Sequence, residues 1–287
     1  MIPPKFSYYA PDSLQDALAL ISEHQEDGKI LSGGHSLIPI LKLRLSEPEV
    51  LIDIGRIDGL DQISESNGVV EIGPRVTHSE LVHSDVISGR LPLLAAAASV
   101  IGDPQVRNVG TVGGNLAHAD PASDLPAAMV CLNATIELQS AGGSRSVAID
   151  DFFVDLLTTE VQPDEILTGI KIPVPDAGAG WSYAKLPNPA SHYAIVGIAA
   201  LISVDGGTCT SASVGVTGLG AAPGRASGVE SALVGSELSD DAIAAAAQDA
   251  ASGFDVLEDI HASTEYREHA ARVYARRAIA EAWSRAA

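Results

Sequence analysis

Residues 32–39 read SGGHSLIP and residues 110–115 read GTVGGN, and both segments are unusually rich in glycine. Each is predicted to lie where a strand gives way to a helix. Glycine lets the backbone approach a ligand closely, and the first turn of a helix offers unpaired N–H groups and a positive dipole end to an anion. The hydroxyls of Ser32, Ser36 and Thr111 add donors. Two such segments suit a ligand with two phosphates, although a tight turn with a serine cap is an alternative for the first segment alone.

The residues around these segments carry the other candidate chemistry. Neither segment has the glycine spacing of a Rossmann fingerprint or a P-loop, and residues 215–220 (GVTGLG) also lack it and are predicted to form a turn. Asp124 follows the second segment, where it either caps a helix beginning at Leu125 or accepts hydrogen bonds from ligand hydroxyls. His35 and His118 are interpreted as structural, hydrogen-bonded histidines. The sequence contains no G-x-S-x-G nucleophile elbow and no zinc-type pair of histidines.

The composition argues against several classes of protein. The 287 residues carry a formal charge of −20, and the sequence pI is near 4.5, so binding to nucleic-acid phosphates or anionic lipid is disfavoured. The longest apolar run, residues 91–101, is too short to span a membrane, and residues 1–13 lack a secretory signal pattern. Two cysteines, Cys131 and Cys209, cannot form a four-thiolate metal site and are predicted to be buried thiols. We therefore expect a cytoplasmic protein.

Hydrophobic patterning predicts two structural regions. An amphipathic helix after Ser13 places Leu14 and Ile21 on one apolar face. Proline and glycine cluster in residues 173–180, which marks the clearest boundary. Periodicity predicts further helices over residues 37–45, 91–101, 240–251 and 264–286, and antiparallel strands over residues 181–186, 194–204 and 211–216. Strands followed by helices beyond the boundary predict a small α+β domain.

The AGGHSLIP-type and TxGGNxxxxDPxxD-type segments, at residues 32–39 and 111–124, together resemble the flavin-carrying medium subunit of molybdenum hydroxylases, the xanthine dehydrogenase family. The resemblance covers essentially the whole chain, including DEILTGIKIPVP at residues 164–175 and EYREHAARVYARRAI at residues 265–279. The N-terminal MIPPKFSYYAPDSLQDAL and the stretch SGGHSLIPILKLRL favour the branch similar to aerobic carbon monoxide dehydrogenase.

This resemblance implies an α+β fold in two parts. Residues 1–176 would form a two-subdomain FAD-binding domain of the vanillyl-alcohol oxidase (PCMH) type, with subdomains of about 1–57 and 58–176. Residues 177–287 would form a small C-terminal α+β flavoprotein domain with an antiparallel sheet.

The resemblance also implies noncovalent FAD and a set of residues that hold it. Ile101 would pack on the cofactor, Asp124 would hold a hydroxyl of the sugar or ribityl chain, and Leu167 would contact the flavin through its strand backbone. Lys185 would lie near the ring system, and Tyr193 would cover the isoalloxazine, unless Tyr193 is a half-buried strand residue. The residues implied to wrap the pyrophosphate are Ile30, Leu31, Ser32, Gly33, Gly34, His35, Ser36 and Leu37 in the first segment, and Thr111, Val112, Gly113, Gly114 and Asn115 in the second. No catalytic residue and no metal ligand is assigned to this chain.

The function implied is electron transfer within a larger oxidoreductase. The FAD would take electrons from two-iron clusters in a small subunit, after substrate oxidation at a molybdenum cofactor in a large subunit, and would pass them to a quinone or other acceptor. A dimer of heterotrimers, bearing no nucleic acid and no integral membrane segment, would lie in the cytoplasm or at the inner face of the membrane. Carbon monoxide is the preferred substrate and a purine- or pyridine-type heterocycle the alternative. A free-standing flavin oxidoreductase and a noncatalytic assembly module are the rival functions.

Overall fold

A computed structural model describes residues 2–286 of the chain. Within that span the strands are β1 (Ser7–Tyr9), β2 (Gly28–Leu31), β3 (Val50–Asp53), β4 (Ile63–Ser66), β5 (Val69–Ile72), β6 (Thr135–Ser140), β7 (Gly143–Ala148), β8 (Phe153–Asp155), β9 (Thr158–Thr159), β10 (Ile166–Pro173), β11 (Gly180–Pro187), β12 (Ala194–Asp205), β13 (Thr208–Thr217) and β14 (Gly224–Arg225). The helices are α1 (Leu14–His24), α2 (Leu37–Leu43), α3 (His78–His83), α4 (Asp85–Arg90), α5 (Pro92–Ser99), α6 (Pro104–Arg107), α7 (Val112–His118), α8 (Asp124–Cys131), α9 (Ile149–Phe152), α10 (Ser227–Leu233), α11 (Asp240–Ala246) and α12 (Thr264–Arg285).

A small parallel sheet, in the order β1-β3-β2, opens the chain. Parallel neighbours cannot be joined by a tight hairpin, and here α2 lies on the connection between β2 and β3. The face of α1 predicted to be apolar is buried, and Leu18 and Ile21 pack in one cluster with Ile52 of β3. The first glycine segment follows β2 directly, so this sheet fixes where that loop begins.

The second sheet is antiparallel and five-stranded, in the order β4-β5-β10-β6-β7. Its central strand β10 places Ile170 opposite Ile72 on one side and Ile136 on the other. Fully buried Leu116 of α7 and Leu125 of α8 belong to the same core cluster. The second glycine segment is therefore carried by a helix packed on this sheet.

The third sheet, in the order β11-β12-β13-β14, confirms the three predicted antiparallel strands and adds a short fourth. Helix α12 packs on β11 and β12, where Ala275 and Ile279 share a core cluster with Ile198. The opposite face contacts α5 and α8, and Ala199 of β12 joins the core of the second sheet. This contact places β11 beside α5, and α8 in turn packs on α7, the helix that carries the second glycine segment.

Several predicted boundaries are wrong for local reasons. The helix over 37–45 ends at Leu43, because Arg44 turns left-handed with φ 58°. The helix over 91–101 begins at Pro92, the first-turn position that suits proline, and ends at Ser99. The helix over 240–251 tightens into a 3-10 turn after Ala246. Residues 215–217 belong to β13, so the predicted turn at 215–220 begins only at Gly218.

Candidate functional site

A cleft of about 720 Å³ lies between the two glycine segments, within the usual range of cofactor pockets. Most of the residues that the sequence singled out line it. They are Ile30, Ser32, Gly33, Gly34, His35, Ser36, Leu37, Ile101, Thr111, Gly113, Gly114, Asn115, Asp124, Leu167 and Tyr193. Leu31, Val112 and Lys185 are not on its wall; Val112 is fully buried in the core beneath. The fold thus joins candidates that are up to 163 positions apart, from Ile30 to Tyr193.

The first glycine segment forms a loop with free backbone donors. Among the hydrogen bonds of residues 2–286, none is donated by the backbone N–H groups of Gly33, Gly34, His35 or Ser36. Gly34 adopts φ 72°, a left-handed conformation that favours glycine. Consecutive N–H groups in such a turn form a concavity suited to an anion. The Ser36 side chain makes no cap hydrogen bond to α2, so the simple alternative of a serine-capped turn is wrong.

The second glycine segment differs from its prediction. It follows helix α6 rather than a strand, and its donors are already used inside the protein. Val112 N donates to Val76 O at 2.9 Å, and Gly113 N donates to Pro74 O at 2.9 Å. Gly114 N donates to the Thr111 hydroxyl at 3.2 Å. The expectation that this helix presents free N–H groups is therefore wrong for its first turn.

The second segment instead lets a ligand approach its backbone at Gly114. Gly114 is exposed and lines the cleft, and a Cβ built there would meet only Thr111 Oγ1, at 2.8 Å. A larger side chain at Gly114 would therefore enter the cleft or crowd that hydroxyl. The backbone at this point can be approached closely by a bound group.

The two segments also pack directly on each other. The Ser32 and Thr111 hydroxyls are 3.1 Å apart, and a Cβ on Gly33 would overlap the carbonyl oxygen of Val109. A Cβ on Gly113 would likewise overlap Pro74. Gly33 and Gly113 are thus required by packing between loops, while the free N–H groups beside Gly33 remain available to a ligand.

Asp124 and Lys185 form a buried ion pair behind the surface of the cleft wall. Asp124 Oδ2 accepts from Lys185 Nζ at 2.7 Å, and Asp124 Oδ1 accepts from the Tyr183 hydroxyl at 2.7 Å. The Asp124 and Lys185 side chains are 5% and 6% exposed, and Lys185 also donates to Val100 O at 3.0 Å. Burial raises the pKa of the Asp124 carboxyl, and its contacts with Lys185 and Tyr183 oppose that rise. Burial, together with Asp124, raises the pKa of Tyr183 well above its usual value.

This arrangement corrects the predicted capping role of Asp124 and adds Tyr183 to the candidate site. Helix α8 begins at Asp124 itself, with Ser123 at the N-cap, so the interpretation of Asp124 as a cap is wrong. Sequence reasoning missed Tyr183. The two-residue period of a strand could have indicated it, because that period places Tyr183 and Lys185 on the same face of β11.

His78 is a second residue that sequence reasoning missed. It is 3% exposed, lines the cleft and packs under Gly110. Its Nδ1 has no hydrogen-bond partner within residues 2–286. Burial, reinforced by the nearby His35 and Arg107, lowers the pKa of His78 to about 4, so the ring is neutral at pH 7.

The other polar groups of the cleft make fewer hydrogen bonds than expected. Asn115 Nδ2 donates to Ser123 Oγ at 2.6 Å, but its buried Oδ1 has no partner among the described residues. The rings of His35 and His118 line the cleft and make no hydrogen bond within residues 2–286, so the interpretation of both as hydrogen-bonded structural histidines is wrong. Both cysteines are buried, as predicted.

Tyr193 lies in the connection just before β12 and is 44% exposed, so the alternative of a half-buried strand residue is wrong. Burial of its hydroxyl near Asp120 and Asp124 raises its pKa. Ile101 follows α5 and Leu167 is the second residue of β10, so two further elements contribute to the cleft wall. Leu167 is buried in the core of the second sheet.

The donor set and shape fit a dinucleotide with a pyrophosphate, such as FAD. Four free backbone N–H groups can bind an anion, and the exposed Gly114 lets a ligand approach the backbone closely. The buried Asn115 Oδ1 can accept a hydrogen bond from a ligand. Within the described residues no group of three or more His, Cys, Asp or Glu side chains could hold a metal ion. No helix in residues 2–286 is long and apolar enough to cross a membrane.

Comparison with known proteins agrees with this geometry. Residues 4–175 match the family described as the FAD-binding domain in molybdopterin dehydrogenase, and residues 181–282 match the carbon monoxide dehydrogenase flavoprotein C-terminal domain. The carbon monoxide dehydrogenase medium chain of Hydrogenophaga pseudoflava is 38% identical over 287 residues, which is 100% of both chains. Subunit alpha of the 6-hydroxypseudooxynicotine dehydrogenase complex of Paenarthrobacter nicotinovorans is 37% identical, covering 100% of this chain and 97% of that one.

Solved structures give the same result. The carbon monoxide dehydrogenase of Hydrogenophaga pseudoflava contains a chain that superposes with a TM-score of 0.97 at 39% identity, covering 100% of both chains. A chain of quinoline 2-oxidoreductase from Pseudomonas putida 86 superposes with a TM-score of 0.94 at 33% identity, covering 99% of both. The resemblance, the α+β fold and the FAD-binding domain predicted from the sequence are confirmed. The chain belongs to the flavoprotein family of the molybdopterin dehydrogenases, with an FAD-binding domain followed by a carbon monoxide dehydrogenase flavoprotein C-terminal domain.

Proposed function

We propose that this chain is the FAD-carrying electron-transfer subunit of a molybdenum hydroxylase. It takes electrons from two-iron clusters of a small subunit and passes them to a quinone or another acceptor. The observation that carries the proposal is the run of free N–H groups from Gly33 to Ser36 beside the cleft, in a chain of an FAD-binding family. When bound, FAD supplies exchange of both single electrons and electron pairs.

The residues of the chain bind and orient the cofactor. The N–H groups of Gly33 to Ser36 hold the pyrophosphate, and Gly114 gives the backbone clearance that a close approach needs. Ile101 packs on the cofactor, the strand backbone at Leu167 contacts the flavin, and Tyr193 covers its ring system. The buried Lys185 ammonium, paired with the Asp124 carboxylate, lies behind the wall. All eighteen residues predicted from the resemblance remain in the proposed site, with Leu31, Val112 and Lys185 acting from behind its surface.

Carbon monoxide is the proposed substrate of the whole enzyme, oxidised in a partner subunit. Support comes from the 38% and 40% identity, over nearly full length, with two carbon monoxide dehydrogenase medium chains. A nitrogen heterocycle is the second candidate. It is favoured by the 37% identity with the nicotine 6-hydroxylase medium subunit and by the quinoline 2-oxidoreductase structure.

The proposed assembly contains a small iron–sulfur subunit and a large molybdenum subunit, doubled into a dimer of heterotrimers. The relatives are themselves described as medium chains or subunits, and they align over the full length of this chain. That alignment favours a subunit over a free-standing flavin enzyme or an assembly module. We also propose FAD-binding subdomains of about 1–57 and 58–176, a C-terminal domain of 177–287, and a complex at the inner face of the membrane; residues 1 and 287 lie outside the described residues.

The test is to purify the chain with its copurifying partners and to measure flavin. Acid precipitation should leave the yellow colour in the supernatant, because the FAD is held noncovalently. Under anaerobic conditions, carbon monoxide should bleach the flavin band at ~450 nm, where oxidised flavins absorb. Bleaching by heterocycles but never by carbon monoxide would move the substrate to the second candidate. Absence of flavin from every preparation, or activity of an isolated monomer on its own substrate, would refute the proposed role.

A further inference from the structure

The connection between β11 and β12, residues 188–193, is organised by one side chain. Asn188 is the only one of its six residues that is buried, at 6% exposed. Its Oδ1 accepts from Ala190 N at 2.9 Å and from Ser191 N at 3.2 Å. Its own N–H donates to Tyr193 O at 2.7 Å, which closes the loop. The side chain therefore fixes the path of the backbone up to Tyr193.

The far side of this 188–193 loop is held against the cleft. His192 adopts φ 61°, an unfavourable conformation for a residue with a side chain, and its N–H donates to Asn188 O at 2.9 Å. The His192 imidazole covers Gly102 so closely that a Cβ on Gly102 would overlap it. Ala194 N donates to Ala122 O at 3.0 Å just beyond the loop. The loop is thus clamped between the two strands that carry it and the wall that it faces.

We propose that Asn188 is a positioning residue for the flavin: its side-chain oxygen holds the 188–193 loop so that Tyr193 lies over the ring system. This inference rests on the proposed function, because it requires FAD in the cleft. Ser191, His192 and Tyr193 all line the cleft, whereas Asn188 does not. Asn188 therefore acts on the bound flavin through the loop and not by contact.

The experiment compares the full-length chain, FAD-loaded and with its copurified partners, in wild-type and variant forms. Asn188→Ala removes the acceptor of two N–H groups, which should raise the open population of the loop on the order of tenfold. Flavin fluorescence, visible circular dichroism and midpoint potential should then shift toward those of Tyr193→Ala. Asn188→Asp retains an oxygen acceptor of the kind that such turns use, and it should restore the wild-type values.

Two further variants separate positioning from general stability. Ser239→Ala removes a comparable side-chain acceptor, the Ser239 hydroxyl that accepts from Ala242 N at 3.1 Å. Neither residue lines the cleft. The variant should lower thermal stability without changing the flavin signature. Gly102→Ala pushes on His192 from the opposite side and should reproduce the signature of Asn188→Ala.

Each outcome supports or overturns the positioning role of Asn188. A flavin-loaded Asn188→Ala variant with wild-type fluorescence, dichroism and potential would overturn the positioning role and leave the proposed function intact. Equal damage in Asn188→Asp would show that the oxygen is not what matters and would also overturn it. If Asn188→Ala fails to fold, Asn188→Asp and Gly102→Ala decide, and a wild-type signature in Gly102→Ala counts against the inference. A wild-type chain that never carries flavin overturns the proposed function itself.

Discussion

Acid should destabilise this protein through His78, the neutral histidine buried beside the cleft. Its pKa is about 4 in the folded chain and near 6.5 in an unfolded chain. The unfolded state therefore binds more protons between these two values, so the contribution of His78 to stability is complete above about pH 6.5 and is lost as the pH falls toward 4. Between pH 7 and pH 5 the loss from this one group is about 2 kcal/mol.

The assay is the free energy of unfolding, measured by denaturant titration at pH 7 and pH 5 for wild type and His78→Gln. The carboxylates titrate in both proteins, so the difference between their two pH responses isolates the imidazole. We expect the variant to lose about 2 kcal/mol less than wild type on acidification, whatever its stability at pH 7. Because His78 packs under Gly110 at the cleft, flavin retention should fall over the same range.

The result that would refute this reasoning is an equal loss of stability in both proteins. It would mean that water or a local movement keeps the ring solvated, so that the imidazole titrates near its ordinary pKa. A direct NMR titration of the His78 ring protons distinguishes these cases. A midpoint near 4 supports the buried neutral ring, and one near 6.5 contradicts it.

Three further predictions concern the cleft. Gly114→Val should abolish FAD binding while far-ultraviolet circular dichroism stays native, because its side chain enters the cleft and crowds the Thr111 hydroxyl; unchanged flavin stoichiometry would show that the second segment is only a turn. Gly33→Ala should instead lower stability by about 1–3 kcal/mol, seen as a lower melting temperature, because its Cβ overlaps a carbonyl of the neighbouring loop; an unchanged melting temperature would contradict that packing. Asp124→Ala should cost about 3–5 kcal/mol of unfolding free energy, since it strands the buried Lys185 ammonium; a cost below about 1 kcal/mol would mean that Lys185 swings out to water.

Much of the architecture could be predicted from local patterns. The apolar run of β12 and the three-and-four spacing of α1 are properties of neighbouring residues, and both elements formed as predicted. The boundaries failed where a backbone feature outweighed the pattern, as at left-handed Arg44. The glycines at 33 and 113 line the cleft, and the structure shows that both are required by contacts between loops.

Residue type and spacing therefore give the family resemblance, the two glycine segments and most of the residues that line the cleft. Which backbone N–H groups are free depends instead on how distant parts of the chain pack together. The N–H groups of Val112 and Gly113 are taken by Val76 and Pro74, which are more than thirty positions away, while those of the first segment stay unpaired. The same holds for the buried contact of Lys185 with Asp124, which depends on the packing of α8 against the third sheet. Side-chain type and spacing are local properties, but a polar group is satisfied or free according to what the rest of the chain brings against it.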